Sequence, residues 1–168
     1  MLAYSSVAQI GYIFMGLGLG TTAGVVASCF HILVHACCKP LLFCCAGRLS
    51  VVSGHHKSLK NLRGSAYRYV SAVLGFTVGA LSMIGIPLFG GFVSKLYLAN
   101  AALPTNRTVL ALVTLALSTV LNALYYVPAL LAIWVRPPAE AEQHVLEDTR
   151  PEDLAFDRSF TTAAIALM

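Results

Sequence analysis

The run FHILVHACCKPLLFCCAG, Phe30 to Gly47, is apolar almost throughout and carries a single formal charge, Lys39. The surrounding apolar segment reaches back to Val25, which is long enough for a membrane crossing of about 20 residues. An ionisable side chain in such a segment costs about 2.5–3.5 kcal/mol on insertion scales, so Lys39 is expected to face a bundle interior or a water-filled cavity. His31 and His35 precede it at steps of four. At 3.6 residues per turn, the three groups form a gently drifting stripe on one helix face.

Four further apolar segments flank this one: Val7–Thr22, Tyr69–Ile86, Pro87–Leu103 and Thr108–Val135. Composition agrees with a membrane protein. The chain has 168 residues, 58% hydrophobic and 11% charged, against about 25% charged in soluble domains. Residues 1–139 hold nine basic residues and no acidic one, while all seven acids lie between Glu140 and Asp157. The basic residues sit between apolar segments and not on a polar face, which argues against nucleic acid and for basic membrane loops. The loop Arg48–Arg68 concentrates them, with a His55–His56 pair. If the segments alternate, that loop and Arg107 lie on the cytoplasmic side.

The expected fold is all-α, a polytopic transmembrane helix bundle of about five helices over residues 1–135. A polar loop, 136–158, and the start of a further, truncated helix, 159–168, follow it. The chain opens in one hydrophobic segment and closes ten residues into another, too few to span. It reads as a fragment or as half of a split protein.

Two constellations carry chemistry. In the first, a lysine in apolar surroundings can gain and lose a proton, and the neutral imidazoles of His31 and His35 can accept and pass it on. Pro40 removes a backbone donor and disfavours helix at position 39, so a loosened helix beside Lys39 is expected. In the second, Gly85, Pro87, Gly90 and Gly91 interrupt an apolar stretch one turn ahead of Lys95. Non-helical backbone at membrane depth is tolerated where it is buried in protein or lines a cavity, and ion sites use such breaks. The alternative for both lysines is structural: each pairs with an acid on another chain and only holds helices together. For the second constellation an ordinary tight turn explains the residues equally well.

Cys37, Cys38, Cys44 and Cys45 repeat at a spacing of seven and, with His31 and His35, give a third and weaker reading as a soft-metal site for copper(I) or zinc; structural zinc sites do not use that spacing, and no metal is expected. Asn122, Tyr125, Tyr126 and Pro128 interrupt the last long helix and either hydrogen-bond to a neighbour, line a pathway or anchor at an interface. No nucleophile–base pair, phosphate-binding loop or cofactor fingerprint is visible. No catalytic centre and no cofactor are expected in the chain.

LAYSSVAQIGYIFMGLG (Leu2–Gly18), the run at Phe30–Gly47 and LSMIGIPLFGGFVSKLYL (Leu81–Leu98) resemble, in that order, the antiporter-like membrane subunits of respiratory complex I. That family includes the Mrp cation/proton antiporter subunits and membrane subunits of energy-converting hydrogenases. LSTVLNALYYVPALLAIWV (Leu117–Val135) looks closest to the Mrp D-type branch. The resemblance covers residues 2–135 and corresponds to the second half of a family member. It implies a many-helix bundle with discontinuous helices, and proton movement along lysines, histidines and water. That movement is coupled to a redox-driven complex, such as an NADH-quinone oxidoreductase or a hydrogenase, or to Na+ exchange.

By position, Lys39 matches the family's central-axis lysine, His31 and His35 match the histidines preceding it in part of the family, and Lys95 matches the lysine of the later broken helix, where some members have glutamate. The family's first half, with its glutamate and first lysine, is absent, and Pro40 departs from the family pattern. The implied partners are other membrane subunits of the same complex, one of them supplying the first half, together with the lipid bilayer. The implied location is a prokaryotic cell (inner) membrane.

Overall fold

The computed structural model describes residues 2–52, 66 and 70–135. The loop residues His55, His56, Lys57, Lys60, Arg63 and Arg68, the tail 136–158 and the segment 159–168 lie outside the described residues. The elements described are five α-helices and no strand: α1 Leu2–Gly18, α2 Thr22–Val52, α3 Val70–Ile84, α4 Gly90–Ala102 and α5 Thr108–Trp134.

The boundaries follow local chemistry. Gly20 adopts φ +67° just after α1, a left-handed position that glycine takes without strain. The helix therefore closes at Gly18, ahead of the expected Thr22. Thr21 then caps α2, its Oγ1 accepting the Gly24 N–H at 3.0 Å. α2 runs 31 residues and keeps Pro40 inside it. The expected loosening beside Lys39 is absent, although Pro40 cannot donate to the Ala36 carbonyl. A proline is tolerated in a membrane helix where neighbouring helices, hydroxyl side chains or local adjustment satisfy the freed carbonyl. Arg48, expected in a loop, lies within the same helix and is half-buried. α2 and α5 are long and apolar enough to cross a membrane. α4 has 13 residues, about 20 Å of helix at 1.5 Å per residue, and cannot cross alone.

Contacts divide the chain into two compact units. The first comprises residues 1–40 and 79–126, and its interior mixes buried polar side chains with apolar ones. α1 buries Ser5, Gln9, Tyr12 and Gly16 and exposes Tyr4, Val7, Ile10, Phe14 and Leu17. α2 buries Ser28, His31, Cys38 and Lys39 while Val25, Val26, Ile32 and Leu33 face out. α5 buries Asn122 and Tyr126 and shows Val113, Leu117, Val120, Leu121 and Leu124 outward. Polar groups inside and hydrocarbon outside suit a lipid solvent. A small apolar cluster, Tyr12, Ala27, Leu98 and Leu115, packs beside the polar groups.

Close helix approach makes this interior possible. A Cβ on Gly16 would lie 2.7 Å from Leu98 Cδ2 and 2.9 Å from the Gly24 carbonyl, and a Cβ on Gly24 would overlap the Gly16 carbonyl. Small residues at such a crossing let backbones touch.

The second unit comprises residues 41–78 and 127–168. Its described part has an ordinary apolar core of Leu41, Leu42, Cys45 and Leu49 from α2, Ala72, Val73 and Phe76 from α3, and Ala129 and Ile133 from α5. Trp134 Nε1 donates to Thr77 Oγ1 at 3.1 Å.

Gly24→Val is expected to destabilise the fold by about 1–3 kcal/mol, the usual cost of overpacking. Gly11→Ala, where a Cβ meets open space, leaves stability near the wild-type value. Thermal unfolding of the detergent-solubilised protein compares the two.

Candidate functional site

The site lies within the first unit, where α1, α2, α4, α5 and the end of α3 converge on buried polar side chains. Lys39 is 5% exposed and Lys95 6%. No aspartate or glutamate occurs among the described residues, so neither ammonium has a carboxylate among them. Each is satisfied by neutral oxygens. Lys39 Nζ donates to the Leu2 carbonyl at 3.0 Å and, at the long end of hydrogen bonding, to Tyr126 Oη at 3.4 Å. Lys95 Nζ donates to the Met83 carbonyl at 3.1 Å and the Ile84 carbonyl at 2.7 Å.

Those two carbonyls explain the interruption of the helix. α3 ends at Ile84 and α4 begins at Gly90. The carbonyls at the end of α3 have no partner further along their own helix, and a cation at a helix C-terminus is favourable. Gly85 turns the chain with φ +92°, a conformation most side chains avoid. A Cβ there would sit 3.0 Å from Lys95 Cδ and 3.1 Å from its Nζ. Gly91 closes the other side: its N–H donates to Ser82 Oγ at 3.2 Å, and any Cβ would strike the Ser82 carbonyl. Pro87 and the exposed Leu88, itself at φ +87°, lie in the intervening segment. Lys95 thus caps the first half-helix from the second.

His31 is 1% exposed. Its Nδ1 meets Ser94 Oγ at 2.9 Å, and the Ser94 hydroxyl donates to the Gly91 carbonyl at 2.9 Å. The serine proton directed at Gly91 places the neutral imidazole proton on Nδ1. Nε2 makes no hydrogen bond of good geometry among the described residues, and the Gln9 backbone carbonyl lies close enough to act on the ring. His31 feels both His35 and Lys95 electrostatically, and His35 feels Lys39. His35 is half-buried, and its Nε2 is likewise unpartnered among the described residues. Gln9, 1% exposed, leaves both amide atoms unpartnered there too.

The structure brings His31, Lys95 and Ser94 together at one end and Lys39 with Tyr126 and Ser5 at the other. Ser5, Gln9, Tyr12, Ser82 and Ser94 escaped the sequence reading. The run Ser5, Gln9, Tyr12, Gly16 marks one face of α1 at helical spacing and was the signal available. The cysteines do not assemble: Cys38 and Cys45 are buried, Cys29, Cys37 and Cys44 exposed. Among the described residues no three His, Cys, Asp or Glu side chains gather as metal ligands. Cys38 Sγ instead donates to Ser82 Oγ at 3.4 Å.

Comparison with known proteins agrees with this architecture. Residues 1–121 match the family described as NADH:quinone oxidoreductase/Mrp antiporter, transmembrane. The NADH-quinone oxidoreductase subunit N of Desulforudis audaxviator is 34% identical over 99% of this chain and 34% of its own length. Subunit N of Salinibacter ruber is 34% identical over 83% of this chain and 28% of its own. The NADH-ubiquinone oxidoreductase chain 5 of Chlamydomonas reinhardtii is 38% identical over 61% of this chain and 18% of its own. The chain thus spans about a third or less of the length of these curated relatives.

The hydrogen-bond assignment at His31 is open to nitrogen-15 NMR of labelled histidine. The wild-type protein is expected to show the Nδ1-protonated neutral tautomer at His31, and Ser94→Ala a shift toward the Nε2-protonated form.

Proposed function

The chain belongs to the NADH:quinone oxidoreductase/Mrp antiporter transmembrane family, and we propose that it carries protons through Lys39, His35, His31 and Lys95 as part of a proton- or cation/proton-translocating membrane assembly. It is an integral membrane protein. The observation that carries the proposal is the pair of lysines buried among neutral oxygens with no acid among the described residues. A lysine locked in an ion pair serves structure. A lysine held by carbonyls and a phenol can lose its proton without stranding an opposite charge.

The relay has a chemically consistent order. The Lys39 ammonium can give a proton to His35 one turn away, and His35 can pass it to the imidazole of His31. His31 stands within electrostatic reach of Lys95. The reverse direction uses the same groups, and the coupling to other subunits of the assembly decides which is driven. The assembly is proposed to be complex I-like or Mrp-type, in a prokaryotic cell membrane, with further membrane segments completing the pathway. The likeness of Leu117–Val135 to the Mrp D-type branch is the support for sodium-coupled exchange.

One observation favours a second reading. Lys95 caps the C-terminus of α3, so it has a structural duty whether or not it carries protons. Proton flux in liposomes holding the assembled complex separates the two. Lys39→Ala is expected to leave assembly intact and lower flux by at least about tenfold, equivalent to about 1.4 kcal/mol on the rate-limiting step. Lys95→Arg keeps a cation and donors at the cap but does not release its proton, and is expected to assemble and lose flux to the same extent. Wild-type flux in both variants overturns the proposal in favour of the structural reading.

A further inference from the structure

The mechanism above uses Tyr126 only as an acceptor for Lys39 and gives Asn122 and Tyr12 no part. Asn122 and Tyr126 are 1% and 0% exposed. The Asn122 carboxamide is engaged at both ends: Nδ2 donates to Tyr12 Oη at 3.1 Å, and Oδ1 accepts from Tyr125 Oη. The rings of Tyr125 and Tyr126 pack with centroids 4.8 Å apart. Tyr126 Oη lies 2.8 Å from Ser5 Oγ and takes the long bond from Lys39. Tyr12, 3% exposed, meets the His31 ring edge-on at 5.4 Å, and Lys95 Nζ stands 5.2 Å from its ring centroid. An unbroken series of side chains from α5 and α1 therefore touches Lys39 at one end and both His31 and Lys95 at the other.

The series is no proton wire. A carboxamide holds its donor on nitrogen and its acceptor on oxygen. A proton arriving at Oδ1 could leave only by stripping Nδ2, through a high-energy tautomer. Hopping therefore stops at Asn122. The residue can still fix geometry, because its two bonds tie the Tyr12 phenol to α5.

We propose that Asn122 and Tyr12 form a positioning strap, in which Asn122 tethers Tyr12 so that its ring is the cation–π seat for the Lys95 ammonium beside His31. Two of the three Lys95 N–H groups are taken by the Met83 and Ile84 carbonyls, which leaves one for the ring. A ring face attracts a cation, so the tether sets where the charged Nζ stands relative to the His31 ring. Proton transfer is sensitive to such placement. Tyr12 and Asn122 are thus positioning residues rather than stations.

This inference rests on the proposed role of Lys95, and the test keeps the two apart. In the assembled complex in liposomes, proton flux is compared for wild type, Tyr12→Phe, Asn122→Leu, their double variant, Tyr12→Leu and Lys95→Arg. Tyr12→Phe keeps the ring and cuts the tether, as Asn122→Leu does, so both are expected to lose about threefold and the double variant no more than either, the signature of one shared interaction. Tyr12→Leu removes the seat and is expected to lose about tenfold, equivalent to about 1.4 kcal/mol, while Tyr12→Phe, which keeps the ring, recovers about half of that free-energy loss.

Flux unchanged in Tyr12→Leu, or losses that add in the double variant, overturn the strap. If either occurs while Lys95→Arg is inactive, the proton pathway stands and only the strap falls. Wild-type flux in Lys95→Arg removes Lys95 from the pathway and the strap with it. Should Tyr12→Leu fail to assemble, the comparison of Tyr12→Phe, Asn122→Leu and their double variant decides alone.

Discussion

An ammonium group inside hydrocarbon must find its hydrogen-bond acceptors within the protein, because no water is at hand to supply them. Here the described residues offer no carboxylate, and much of the architecture follows from that shortage. Lys95 takes the carbonyls that a helix exposes only at its C-terminus, so α3 must end beside it and α4 must start anew. Lys39 takes a backbone carbonyl of α1 and a phenol of α5, which draws three helices around one group. Glycines at the α1–α2 crossing and at Gly91 permit the approach.

The same shortage shapes the chemistry. An acid beside each lysine would hold the proton in place. Carbonyls, a phenol and an aromatic face satisfy the charged form with dipoles and a quadrupole, and these remain tolerable neighbours when the charge leaves. The Ser94–Gly91 bond adds direction by fixing the His31 tautomer. The apolar exterior of α1, α2 and α5 keeps the polar interior from bulk water, and lets the site's electrostatics act in a medium of low dielectric constant.

Much of this was legible in the sequence. The step of four through His31, His35 and Lys39 is a helical period and needs no tertiary knowledge. The Pro–Gly cluster before Lys95 announced an interruption because glycine and proline act locally. Where local rules mislead, a longer-range term wins. Pro40 was expected to loosen α2, yet a 31-residue helix carries enough other backbone bonds to absorb one missing donor. Ser5, Ser82 and Ser94 were silent because a lone serine in an apolar helix hardly disturbs its pattern, and only the neighbour it meets reveals its use. Asn122 and Tyr126 stood out as polar, but their partners on α1 and α2 lie 87 or more positions away in sequence. No local window could pair them.

The central claim is that Lys39 and Lys95 exchange protons rather than merely hold a charge. Nitrogen-15 NMR of lysine Nζ in the membrane-reconstituted complex, at rest and during turnover, measures this directly, with Lys39→Arg and Lys95→Arg variants supplying the assignments. The account predicts that each Nζ populates both ammonium and neutral amine, with the balance shifting on turnover. Both lysines remaining ammonium throughout the working cycle would contradict it.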